Sequence, residues 1–328
     1  MCNMNNTVCS AFWKHTNIRS GDRIFPCCRF KSPVAKFEGD MKNILNSPEY
    51  DKLRTDSSNG VKISGCSKCY MEESLGKKSL RQEFNETYDI KKVELKYLEI
   101  GFDNICNLAC DGCWGEWSST WAGLERPNAS KKELVVSTSE ITSVPSTVEK
   151  IVFLGGEPLM TNRHIRFLKQ LPSVSDIEII YYTNGMFMLN DAIIELLKKA
   201  RTVKFIVSVD AVGALAEKVR SGTVWSSVLD FIDQALENQF KVSIHSVMHL
   251  NSWIGFPELV HFVETKGFDW TVGLLTYPDK LSIKHLNREN KQLLKTILNS
   301  YNIPNREFIR NYLEDDREIT KLHQLEAV

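Results

Sequence analysis

Cys106, Cys110 and Cys113 stand in the run Cys106-Asn-Leu-Ala-Cys110-Asp-Gly-Cys113, directly after the apolar segment Lys96–Gly101. Three thiolates this close can hold three corners of a cubane iron–sulfur cluster and leave the fourth iron without a protein ligand. An open coordination position separates reactive metal sites from structural ones. Structural zinc is the competing chemistry and takes four Cys or His ligands. No His lies between His15 and His164, so the loop offers three sulfurs and no local fourth ligand. A distant Cys could complete a zinc site; ligand count and spacing favour the cluster.

The elements that would position these thiols follow downstream. Lys150–Leu154 runs into Gly155-Gly156-Glu157-Pro158, Ile177–Tyr181 into Tyr182-Thr183-Asn184-Gly185, and Val203–Val207 into Ser208-Val209-Asp210. Each polar or glycine-rich stretch falls at the carboxyl end of a strand-like run, where barrel enzymes build their sites. A Gly-Gly pair alone signals only a tight turn. After three spaced cysteines, the series points to one catalytic rim.

From about Tyr97 to Leu286 this constellation resembles the radical S-adenosylmethionine (SAM) superfamily. The resemblance implies a [4Fe–4S] cluster on Cys106, Cys110 and Cys113, with SAM chelating the open iron. It implies that Gly155, Gly156 and Glu157 bind the SAM amino group, largely through backbone carbonyl oxygen, and that Ser208 and Asp210 contact the ribose. Arg220, in Glu217-Lys-Val-Arg-Ser-Gly222, corresponds to the partner of the SAM carboxylate, a charge-assisted pairing suited to a guanidinium. Asn184 and His245 fall near the cofactor rim. The chemistry implied is one-electron cleavage of SAM to a 5′-deoxyadenosyl radical that abstracts hydrogen, with the protein orienting substrate and excluding side reactions. One departure stands out. The family usually places a bulky residue before the third cysteine, and here that position is Gly112. Trp114, Trp117 or Trp121 could supply the missing adenine contact, or these rings could anchor the following helix in the core.

The other cysteines are Cys2, Cys9, Cys27, Cys28, Cys66 and Cys69, and none of the nine lies beyond Cys113. Such segregation argues against a secreted disulfide framework and for metal sites in a reducing compartment. Asn17–Pro26 reads as a hairpin turning at Ser20-Gly21-Asp22, followed by Cys27-Cys28, a helical spacer over Met41–Arg54 and the Cys66-Ser-Lys-Cys69 knuckle. This order resembles the SPASM/twitch module of radical SAM enzymes, here at the amino terminus. It implies an auxiliary iron–sulfur cluster on Cys9, Cys27, Cys66 and Cys69. Cys28 is the reserve for Cys27, because adjacent strand residues point to opposite faces. A four-cysteine zinc site fits the same spacings. Cys2 lies in a polar terminus, where fraying is common.

Strand-like runs near 95–101, 149–154, 177–182, 203–209, 241–248 and 269–275 alternate with helical patterns at Lys131–Ile141, Asn162–Gln170, Ala192–Ala200, Trp225–Glu237 and Pro257–Thr265. The alternation predicts an α/β fold with a parallel sheet, a partial (β/α)6 TIM-like barrel. Further helices are expected over Ser282–Leu298 and Arg306–Leu322. The expected division is 1–90 as a cysteine-rich SPASM/twitch-like metal-binding module, 91–280 as the barrel and 281–328 as a helical extension. Glu99, Tyr181, Tyr182 and His245 interrupt apolar strands, as lumen groups or as satisfied internal hydrogen bonds.

Forty-one basic residues balance forty-one acidic ones, which weakens any case for a general nucleic-acid binder. There is no secretory signal after Met1 and no run near the roughly 20 apolar residues that span a bilayer. The expected location is cytoplasmic. The expected partners are a peptide or small-molecule substrate and an electron donor such as flavodoxin or ferredoxin. By family analogy a peptide or protein side chain leads, a sugar or nucleoside follows, and a zinc-stapled non-catalytic binding protein is the alternative outside enzymology.

Overall fold

The computed structural model describes residues 7–315. Cys2 and the end of the expected 306–322 helix lie outside them. Among the described residues eleven strands form: β1 His15–Arg19, β2 Arg23–Phe25, β3 Ala35–Lys36, β4 Tyr97–Gly101, β5 Ala109–Cys110, β6 Lys150–Leu154, β7 Glu178–Thr183, β8 Thr202–Ser208, β9 Arg220–Ser221, β10 Lys241–Met248 and β11 Asp269–Leu274. Nine of them make one sheet in the order β11-β10-β8-β7-β6-β4-β1-β2-β3, and β5 pairs with β9. Strands β4, β6, β7, β8, β10 and β11 are parallel neighbours in chain order. They are the six strands of the expected partial TIM-like barrel.

Side-chain alternation assigns the two faces of this sheet. In β8, Val203, Phe205 and Val207 are buried, whereas Lys204, Ile206 and Ser208 are half-buried. The first three belong to the main apolar core shared with the outer helices. Phe205 stacks on Tyr181 at 5.3 Å and meets Phe231 edge-on at 5.2 Å. Phe231 comes from helix Trp225–Glu237, whose buried residues Val228, Phe231, Ile232 and Ala235 recur at helical spacing. Full burial of such a ring contributes about 2–3 kcal/mol. The helix stops at Asn238, followed by Gln239 at φ 62, a left-handed conformation that ends helices. The opposite face of the strands carries Glu99, Tyr182, Ser208 and His245; Glu99 there is buried and accepts from Asn17 Nδ2 and the Tyr97 hydroxyl.

The amino-terminal residues extend the same sheet. β1 runs parallel to β4 with Asn17 opposite Glu99. β1 and β2 form the expected hairpin, with Gly21 at φ 79 and Asp22 at φ 61 in the turn. The boundary at residue 90 therefore does not separate two sheets. A second apolar cluster nevertheless gathers Val8, Cys9, Phe12, Phe25, Cys27, Phe30, Ile63 and Cys66. Helices Arg288–Ser300 and Arg306–Glu314 bury Leu294, Leu298, Phe308 and Tyr312 in the main core.

One helix is much shorter than its pattern suggests. The expected 131–141 segment is helical only over Lys131–Leu134, behind a Ser130–Glu133 capping box. The β-branched run after it favours extended backbone. Thr138 donates its N–H to Phe102 O, and Ser137 bridges Asp103.

Candidate active site at the carboxyl rim

The loop after β4 carries the three spaced cysteines, and backbone contacts fix it to the rim. Gly156 donates to Asp103 O at 3.0 Å, and Glu157 donates to Ile105 O at 2.7 Å. A Cβ on Gly156 would meet Ile105 O at 2.2 Å, and one on Gly155 (φ 126) would meet Asp103 O at 2.7 Å. The glycine pair is thus required for the backbone to lie against the segment entering Cys106. The Glu157 carboxylate is buried and accepts from Leu159 N, Thr183 Oγ1 and Asn184 N. Burial pushes its pKa up to about 7 despite those three donors. Its side chain ties the Gly155–Glu157 turn to the Thr183–Gly185 turn, while Asn184 reaches back to Asn107 Oδ1 at 2.8 Å.

Cys106, Cys110 and Cys113 are half-buried, with Cys106 and Cys113 each within electrostatic reach of Cys110 and of Arg220. Burial raises the Cys106 thiol to about 11 and that of Cys113 to about 12, and moves Cys110 in the same direction. A thiol so placed ionises when a cation takes the charge. Cys106 Sγ accepts from Leu108 N at 3.5 Å. Cys110 pairs across the short β5–β9 ladder with Arg220. Arg220 Nη1 donates to Asp210 Oδ2 at 3.0 Å, and Asp210 Oδ1 accepts from Val247 N at 2.7 Å. Burial opposes the Arg220 charge, but Cys110 and Asp210 more than offset it, so the group holds its proton above its ordinary range. Ser208 ends β8 in register with His245 of β10. His245 Nδ1 lies 2.8 Å from Thr271 Oγ1, and burial lowers its pKa to about 4.

The fold thus brings Cys106, Cys110, Cys113, Glu157, Asn184, Asp210 and Arg220 into one connected rim. Sequence reasoning missed several supports. Ser118 caps helix Ser119–Glu125 and donates to Leu108 O, Thr120 donates to Cys106 O, and Trp121 Nε1 donates to Cys110 O. The Ser-Ser-Thr run was the available N-cap signal. Trp121 is therefore bonded to the cysteine loop as well as packed. At Gly112 (φ 74), a Cβ would collide with Leu275 at 2.6 Å. Leu275 fills the space of the missing bulky side chain, a long-range substitution invisible in local sequence. Trp114 packs edge-on against Trp117 and Tyr277.

At the amino terminus, Cys9, Cys27, Cys66 and Cys69 are buried, and Cys27 lies within electrostatic reach of the other three. Burial raises Cys9 to about 12 and pushes Cys27, Cys66 and Cys69 upward. Cys28 turns the other way. It reaches solvent, and Glu99, Arg19 and Arg29 surround its thiol. The adjacent cysteines thus divide between a sealed cluster of thiols and the barrel lumen. Among the described residues, no three His, Cys, Asp or Glu side chains converge on a single-ion site. A cubane makes a different demand, since its thiolates sit at separate corners. Replacing Cys27 by Ser is expected to remove bound auxiliary-site metal, and replacing Cys28 by Ser to leave it in place, as metal analysis of anaerobically prepared protein would read.

The radical SAM superfamily profile matches residues 100–263. GTP 3′,8-cyclase of Listeria monocytogenes serovar 1/2a is 28% identical over 172 residues, 52% of this chain and 48% of that protein. GTP 3′,8-cyclase of Campylobacter jejuni subsp. jejuni serotype O:2 is 29% identical over 178 residues, 52% of each. The chain spans about half the length of the curated relatives it matches. Among solved structures, anSMEcpe with bound AdoMet superposes with a TM-score of 0.46 at 16% identity, over 63% of this chain and 60% of that one. Streptococcus suis SuiB bound to S-adenosylmethionine gives 0.41 at 16%, over 79% and 56%. No helix among the described residues is long and apolar enough to cross a membrane. With its cysteine loop, glycine-pair rim and the profile match over half its length, this chain belongs to the radical SAM superfamily.

Proposed function

We propose that this protein cleaves SAM reductively at a [4Fe–4S] cluster held by Cys106, Cys110 and Cys113, and abstracts hydrogen from a substrate bound in the lumen. The observation that carries the reading is the junction of Cys110 with Arg220 across β5–β9 and of Arg220 with Asp210. It presents a fixed guanidinium beside three thiols whose ionisation calls for a cation. Those three thiolates would hold the cluster, which when bound and reduced would supply the electron for cleaving SAM to methionine and a 5′-deoxyadenosyl radical. The protein's share is binding and orientation. Arg220 holds the SAM carboxylate as a charge-assisted partner. The Gly155–Glu157 backbone receives the amino group, with Glu157 bracing the turn. Ser208 and Asp210 face the ribose, and Asn184 and His245 close the cofactor rim.

Cys9, Cys27, Cys66 and Cys69 form a second, four-thiolate site, which we assign to an auxiliary iron–sulfur cluster. A ferredoxin or flavodoxin in the cytoplasm is the electron donor this chemistry calls for. For substrate, a peptide or protein side chain is the first reading. A nucleotide is the second, favoured by the GTP 3′,8-cyclases that share residues with this chain. Anaerobic purification with iron, sulfide and zinc analysis tests the proposal, followed by reduction with dithionite in the presence of SAM. The expected result is a brown protein with two clusters that yields methionine and 5′-deoxyadenosine. A colourless zinc protein that leaves SAM intact would overturn it.

A further inference from the structure

The four amino-terminal thiols lie beneath a groove that opens to solvent. The groove measures about 490 Å3, and Phe30, Val34, Leu53, Val61, Ile63 and Gly65 make its apolar part. Phe30, Leu53 and Ile63 belong to the same buried cluster as Cys9, Cys27 and Cys66. Short backbone bonds set the spacing. Phe30 donates its N–H to Cys27 O at 3.2 Å, Cys66 donates to Ile63 O at 3.0 Å, and Lys31 donates to Gly65 O at 3.2 Å. A Cβ on Gly65 would strike the Phe30 ring at 2.3 Å, so glycine lets the two cysteine-bearing segments close against each other. The turn after Cys27 and the turn before Cys66 thus form both the wall over the thiols and the floor of the groove. Val61, also in the lining, is 50% exposed.

Five charged side chains line the groove, Lys31, Lys52 and Lys62 against Glu49 and Asp56. Lys52 and Asp56 neutralise each other at 2.9 Å. Glu49 sits in the first turn of helix Pro48–Ser58, where the positive end of the helix dipole offsets its charge. Lys62 has no ion pair among the described residues, and its Nζ lies 5.7 Å from the Tyr70 ring. Beside the thiols, Arg81 pairs with Glu73, and Arg29 and Lys77 share Glu72. Four thiolates and a cluster on them carry net negative charge. An acidic partner approaches that charge only across a rim where lysines outnumber carboxylates.

Resting on the function proposed above, we propose that a small acidic one-electron carrier protein docks on this groove. A side chain or loop of the carrier packs against Phe30, Val61 and Ile63, and its carboxylates face Lys62 and Lys31. One electron passes from the reduced carrier to the auxiliary cluster. No covalent bond changes, and the carrier leaves oxidised by one electron. The site suits this partner on two counts. Electron transfer falls off steeply with distance, and here the floor of the groove packs directly on the thiols. Redox encounters use small, charge-guided interfaces, and a compact apolar groove with a lysine at its edge supplies one.

The test mixes oxidised, anaerobic holoenzyme with photoreduced flavodoxin, and separately with a reduced acidic ferredoxin, and follows bleaching of the cluster absorption by stopped flow. At least one carrier should bleach it, faster at low salt than at high. The Lys62→Glu/Val61→Asp variant should lower the second-order rate constant by about tenfold at low salt. The gap should narrow at high salt, where charges are screened. Lys62→Arg should keep the rate. Reduction by dithionite should be equal in all variants, because a small reductant needs no docking face. Variants are matched for iron content and melting temperature. Equal carrier rates in matched variants, or no bleaching by either carrier where dithionite bleaches, overturn the inference. Zinc in place of iron at the amino-terminal thiols overturns it as well. SAM cleavage with dithionite is read separately, so failure here is distinguishable from failure of the radical SAM reading.

Discussion

Replacing Cys106, Cys110 and Cys113 together by Ala will reduce SAM cleavage to background and remove about four irons per chain, the content of one cubane. Iron at the amino-terminal site will remain. The separation follows from packing. The three rim thiols are half-buried in a loop held by other bonds, among them Ser118 to Leu108 O, Thr120 to Cys106 O and Trp121 to Cys110 O. None of these needs a sulfur. Cys9, Cys27 and Cys66 belong to a different apolar cluster, with Phe12, Phe25 and Phe30 around them. Loss of the first set should therefore leave the far-ultraviolet circular dichroism and the second set intact. Survival of 5′-deoxyadenosine formation in the triple variant would sink the assignment of the catalytic cluster.

The rim that gathers the cysteine loop, the glycine pair and Arg220 was legible because its information is local. The cysteine spacing, the glycine pair and the polar residues ending each strand are short motifs, and strand alternation places them on one edge. All six barrel strands lie where apolar periodicity puts them, to within two residues at either end. The expected helix at 131–141 failed because tertiary bonds at Thr138 and Ser137 overrode a weak pattern. Leu275 filling the space above Gly112 joins residues more than 160 positions apart, and no local signal announces it. The parallel pairing of β1 with β4 was hidden for the same reason. The hairpin was readable from its turn residues, but the strand it joins lies some 80 residues away. Cys27 and Cys28 differ in burial, but they lie in a turn after β2 ends at Phe25, where Phe30 donates its N–H to Cys27 O, so the strand rule that adjacent residues face opposite ways does not account for it. Which of them faces the lumen required the fold.

Arg220→Ala is expected to raise the dissociation constant for SAM by about 10–100-fold, the loss of one charge-assisted bond of roughly 1.5–3 kcal/mol. Arg220→Lys should fall between, since it keeps the charge and loses the fork. Asp210→Asn should weaken SAM binding as well, for a reason that lies in its hydrogen bonds. Asp210 Oδ1 accepts from Val247 N and Oδ2 from Arg220 Nη1. An Asn amide can keep the first bond only by turning its NH2 toward the guanidinium, donor against donor. Arg220 then loses its anchor, and one buried partner is left uncompensated, a loss of about 3–5 kcal/mol when neither group reaches water. Arg220 is 16% exposed at its side chain, so the stability cost should sit toward the lower end of that range. The two residues act as one unit. The Asp210→Asn/Arg220→Ala double variant should therefore bind SAM no more weakly than the worse single one, a strongly non-additive cycle. Because an Asn at 210 can still hydrogen-bond a ribose hydroxyl, full additivity would mean that the ribose contact proposed for Asp210, and not its hold on Arg220, carries its effect on SAM, and unchanged affinity in Arg220→Ala would remove Arg220 from the SAM site.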